Sequence, residues 1–149
     1  MKNPRKLVYH LLSSACLALA TSGAQAAGSF ALQKIMEDLG KNMQIITDGI
    51  SREDWRLVEK TASKIVDQPQ PPFSEKVRLL SFMGTYMGKF KAYDGETHDQ
   101  AQAIGKAAKA KDGPGVILAF QKLQASCYNC HNEFRKPFIE HFYGKKDAV

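Results

Sequence analysis

The sequence predicts an all-α protein, an antiparallel four-helix bundle. Apolar residues recur at helical spacing along nearly the whole chain, and strand-like alternation is found nowhere. Turn-forming clusters divide this pattern into segments of helix length, joined by connections short enough to favour antiparallel neighbours. At 149 residues, with 44% hydrophobic and 24% charged side chains, the chain suits one soluble domain with one core.

Residues 1–26 stand apart from that domain. Lys2, Arg5 and Lys6 precede a short apolar run from Leu7 to Ala20, and Ala24-Gln25-Ala26 supplies the small-x-small pattern of a cleavage site. This reads as an export signal cut between Ala26 and Ala27, with residues 27–149 as the mature domain. The run is shorter than the roughly 20 residues that span a bilayer. Cleavage lowers Lys+Arg from 21 to 18 against 15 Asp+Glu, so the net charge falls from +6 to +3. So mild a balance gives no reason to expect nucleic acid or a membrane surface as partner. Cys16 leaves with the leader, and the two remaining thiols, Cys127 and Cys130, enter an oxidising compartment.

In the mature chain Leu32, Met36, Leu39, Met43, Ile46 and Ile50 form one stripe on a helix from about Ser29 to Gly49. Asp48-Gly49 is a stop signal, and Ser51-x-x-Asp54 resembles a capping box for a second helix presenting Trp55, Val58, Ala62 and Ile65. The prolines at 69, 71 and 72 enforce a loop. Ser74 can cap a third helix carrying Val77, Leu80, Met87 and Phe90, and the register resumes at Thr97, Ala101, Ile104 and Ala108. Residues 75–110 are therefore expected as one long or kinked helix, with a break at Asp94-Gly95 as the alternative. After the turn at 111–115, a last main helix is expected from about Val116 to Lys136, with Phe120, Leu123, Cys127, Cys130 and Phe134 inward. Pro137 should end or kink it, leaving Phe138 to Val149 as a tail.

Cys127 and Cys130 lie about one helical turn apart on one side, and His131, four residues after Cys127, shares that side. Two thiols so placed can each add to one vinyl group on the edge of a haem while the imidazole reaches the iron. Cys-x-x-Cys-His is the attachment signature of c-type haem. The motif therefore predicts one covalently bound haem c, with His131 as an axial ligand. Two alternatives stand beside it. Zinc needs a fourth ligand, and the nearest candidate, His141, lies at an atypical distance in sequence. A disulfide would leave the histidine without a role. His98 and His141 read as surface residues.

The string Cys127-Tyr128-Asn129-Cys130-His131-Asn132-Glu133-Phe134-Arg135, in the last helix of a bundle, resembles the class II cytochromes c, the cytochrome c-prime family. The resemblance extends to the Met-rich first helix. Two departures are the helical character around 72–88 and the length of chain after Arg135. The resemblance implies a haem between the helices and two possible states of its second face. In the low-spin members a methionine of the first helix ligates iron, and Met36 matches that position. In the high-spin members an apolar side chain covers an open iron site. On periodicity alone Met36, Met43, Met83 and Met87 are all core residues.

Met43 lies about 10.5 Å further along the helix than Met36 and is expected to pack against the ring or a neighbouring helix. Arg135 follows His131 on the same face. By resemblance it lies beside the haem, where it could pair with a propionate; otherwise it is a solvated arginine near a helix C-terminus. These readings predict a periplasmic electron carrier rather than an enzyme, with His131 and Met36 as axial ligands and redox proteins as partners. The alternative is a five-coordinate binder of NO or CO in which Met36 is only core. The resemblance also implies a possible homodimer through the first two helices.

Overall fold

The computed structural model describes residues 30–144. The export signal and cleavage site expected from the sequence lie outside the described residues. Six helices follow in order: α1 Ala31–Ser51, α2 Trp55–Val66, α3 Phe73–Met83, α4 Met87–Lys109, α5 Gly113–Cys130 and α6 Lys136–Phe142. A 3-10 turn, Gly84–Tyr86, joins α3 to α4, and a π turn, His131–Arg135, joins α5 to α6. The long helices α1, α2, α4 and α5 form the expected all-α four-helix bundle. No strand occurs among the described residues.

The hairpins α1–α2 and α4–α5 are built alike. A single residue adopts the left-handed conformation, Glu53 at φ 54° and Lys111 at φ 56°. The next amide then bonds back five residues, Asp54 N to Gly49 O and Asp112 N to Ala107 O, each at 2.9 Å. This closes the first helix as a Schellman motif. The same aspartates cap the helix that follows. Asp54 Oδ1 accepts the Leu57 amide and Asp112 Oδ1 accepts the Gly115 amide, both at 3.0 Å.

The expected capping box is thus corrected: Ser51 is the last residue of α1, its hydroxyl donating to Thr47 O, and Asp54 alone is the cap. Gly49 does not stop α1. It is buried where α2 crosses, and a Cβ there would lie 2.8 Å from Val58 Cγ2.

The core gathers Ile46 of α1, Val58, Ala62 and Ile65 of α2, Ala101, Ile104 and Ala108 of α4, and Val116, Ala119 and Leu123 of α5. Helix α1 packs closely on α2 but barely touches α5. Its first half therefore stands off from the end of α5, and a cleft opens between them.

The third segment differs from the expectation. Residues 75–110 are two helices, broken at Gly84 (φ 50°, ψ −123°) and not at Asp94-Gly95, which stay helical within α4. Only glycine takes that backbone geometry cheaply. Pro72 stands at the N-cap of α3, so Ser74 lies inside the helix and is not its cap. The face is corrected as well: Val77 and Leu80 are exposed, whereas Leu79 and Met83 are buried. Helix α3 is held to the start of α1 by Glu75, whose two carboxylate oxygens accept the Ala31 and Leu32 amides at 2.8 and 3.3 Å.

Pro137 does not end the last helical run. Proline offers no amide and its ring clashes with the carbonyl four residues back. The chain widens into the π turn just before it and continues as α6. A π turn advances fewer degrees per residue than an α-helix. The inward positions after Phe134 are Phe138 and Phe142. Phe138 and Phe142 pack on the buried Phe30 at 5.5 and 4.6 Å between centroids. The Arg78 guanidinium lies over the Phe30 ring at 4.1 Å. The segment expected as a tail is instead a wall of the cleft.

Candidate haem site

Two adjoining cavities fill the space between α1, α4 and the end of α5. The larger, about 590 Å³, is bordered by Leu32, Met36, Phe90, Phe134, Arg135 and Phe138, among others. The smaller, about 350 Å³, is bordered by Leu39, Met43, Tyr93, Thr97 and Cys127, among others. Met36, Phe90, Cys130 and His131 border both, so the two form one slot. Its size and largely apolar walls suit a small-molecule or cofactor site.

Every residue expected at the site is brought to this slot. Cys127 and Cys130 are half-buried on the α5 wall, and His131 opens the π turn directly after them. Met36 faces the slot from α1, and Met43 lies deeper on the same helix, packed partly on the core. Arg135 borders the larger cavity with His131. The alternative fourth zinc ligand does not join them: the His141 ring lies 4.8 Å from that of Phe82. No group of three or more His, Cys, Asp or Glu side chains is gathered for a metal ion among the described residues.

The α5 wall is pinned from α4. The buried Ser126 hydroxyl lies 3.0 Å from Thr97 Oγ1 and donates to Leu123 O, which satisfies it one residue before Cys127. Burial, ahead of any neighbouring charge, pushes the Cys127 thiol up and the Cys130 thiol up to about 11. Burial and then the nearby Arg135 cation hold His131 below its ordinary value. The imidazole thus stays neutral at neutral pH, with a nitrogen lone pair free for a metal.

These residues fit a haem. The slot is apolar, its α5 wall presents two thiols and a neutral imidazole, and the facing α1 wall presents a thioether. Phe138, Ile139 and Tyr143, which also border the larger cavity, were not expected there. The four-residue spacing of Phe134, Phe138 and Phe142 was the available signal, since it continues a helical stripe past Pro137.

A helical bundle with this thiol pair and imidazole on the wall of an apolar slot has the architecture of a c-type haem protein. Residues 83–135 match the family model described as Cytochrome C'. That stretch, which holds α4, α5 and the π turn, belongs to the cytochrome c-prime family, a family of c-type cytochromes with haem c as cofactor. Cys127, Cys130, His131 and Arg135 lie inside the match; Met36 and Met43 lie before it. A search among curated proteins found no match. Among the described residues no helix is long and apolar enough to cross a membrane.

Proposed function

We propose that the protein is a periplasmic electron carrier holding one haem c, attached through Cys127 and Cys130, with His131 and Met36 as axial ligands. The observation that carries this reading is that Met36 and His131, from different helices, border both cavities of one slot. When bound, the haem iron supplies a one-electron couple, and methionine ligation raises its potential.

The chain's own residues do the rest. The half-buried thiols tether the group to a helix pinned by Thr97 and Ser126. The neutral His131 donates its lone pair, and Leu32, Leu39, Phe90 and Phe134 exclude water. Arg135, at the edge of the larger cavity, offers a guanidinium to a propionate. Redox proteins are the partners this reading calls for.

The optical spectrum of the matured, reduced protein tests it. A low-spin spectrum that ignores added CO, and turns high-spin on Met36→Ala, is expected. A spectrum already high-spin and readily shifted by CO, and unaltered by that substitution, would overturn it. The second reading, a five-coordinate binder of NO or CO, draws on Met36 being 37% exposed beside Leu32, Met83 and Phe90. An apolar pocket of that kind would admit a diatomic gas if the thioether stayed off the iron.

A further inference from the structure

Glu133 lies inside the π turn, two residues after His131, and is gripped from α4. Lys89 Nζ approaches its carboxylate at 2.7 Å, and the Tyr93 hydroxyl donates to Oε2 at 3.3 Å. The Glu133 side chain is only 27% exposed. Exposed lysine–carboxylate pairs contribute little, but this acceptor is partly desolvated, has two donors, and joins residues 44 apart in sequence. The adjacent Phe134 packs edge-on against Phe90 and Tyr93, at 5.8 and 6.3 Å between centroids. One turn of α4 thus holds both residues at the middle of the π turn.

The His131 ring makes no hydrogen bond to another described residue, so what the fold constrains is the backbone that carries it. That backbone is the first residue of a π turn, a conformation rarely stable on its own. Without an anchor the turn can relax towards α-helical winding, which would turn Phe134 and the imidazole relative to α4. We propose that Glu133, held by Lys89 and Tyr93, is a positioning residue that fixes the π turn and so the angle at which His131 meets the haem iron. The proposal rests on the haem reading above but not on Met36 being a ligand.

The test uses the full chain matured with haem in a Met36→Ala background. Ferrous iron then keeps His131 alone under either reading, and resonance Raman spectroscopy reports the iron–histidine stretch. Glu133→Ala is expected to shift and broaden that band. Glu133→Gln, which can still accept from Tyr93, should shift it less, and Lys89→Met and Tyr93→Phe should each reproduce part of the change. A band unaltered in position and width across the set would overturn the proposal even if thermal stability fell, because Glu133 would then be a stabilising contact only. Should Glu133→Ala fail to mature, Lys89→Met and Tyr93→Phe decide the matter. A parent protein without porphyrin would instead defeat the haem reading, and this is visible before any substitution is read.

Discussion

Glu75 Oε1 accepts the backbone amide of Ala31 at 2.8 Å, across 44 residues of sequence. Helix α1 has no side-chain cap of its own, because Phe30 occupies its N-cap position. The first amides of the helix that carries Met36 are therefore satisfied from α3.

Glu75→Ala should cost about 1–2 kcal/mol by leaving those amides without their acceptor. Chemical denaturation of the matured protein measures this. Glu75→Gln should lose less, since one carboxamide oxygen can still accept. An unchanged midpoint for both would show that the cap contributes nothing.

The same glycine-to-alanine change should have opposite signs at two positions. Gly84→Ala should destabilise by about 1–3 kcal/mol, since an alanine must adopt the φ of +50° that closes α3. Gly95→Ala should stabilise by about 1 kcal/mol, because the residue is helical and nothing lies within 4 Å of the added methyl. Equal effects at the two sites, measured by denaturant midpoint, would contradict the placement of the helix break.

Met43→Leu should leave the axial ligation and the optical spectrum as they are, at a cost below about 1.5 kcal/mol. Met43 packs partly on the core, and a volume-conserving apolar replacement keeps that contact. Loss of the low-spin spectrum in this variant, with Met36 intact, would reassign the ligand.

In the chain prepared without haem, Cys130 should resist alkylation at pH 8, with reactivity rising only as its pKa of about 11 is approached. The thiolate is the reactive form, and burial disfavours it. The folded value lies above the ordinary thiol value of 9.0. The associated stability is then complete below about pH 9 and is lost as pH rises towards 11. Iodoacetamide labelling of folded and denatured chain across that range checks the prediction. Equal rates at pH 8 would contradict it.

Much of the bundle could be read from residue spacing. Val58, Ala62 and Ile65, with Ala101, Ile104 and Ala108, sit in the core where helical periodicity places them. Spacing failed in α3. Both of its faces are apolar, so spacing put Val77 and Leu80 inward, and only the assembled bundle shows Leu79 and Met83 to be the buried pair. Spacing held through Asp94-Gly95 and on to Ile50; there the turn signals misled, a local preference of about 1 kcal/mol being outweighed by packing along α4 and by the crossing of α2.

At the site, Cys127, Cys130 and His131 were legible because their local Cys-x-x-Cys-His spacing matches the attachment signature of c-type haem. Glu133, Lys89 and Tyr93 were not, because their contacts join helices whose relative rotation no local pattern encodes.

The sequence by itself determined four amphipathic helices and the clustering of Cys127, Cys130 and His131 on one side, since both depend on the local helical repeat. Only the tertiary structure decided that α1 stands off from α5 to open the slot and that the chain passes Pro137 by a π turn. It also decided that α6 closes the wall beside Arg135. These follow from rings packing around Phe30 and carboxylates meeting donors on distant helices, interactions that exist only once the helices are assembled.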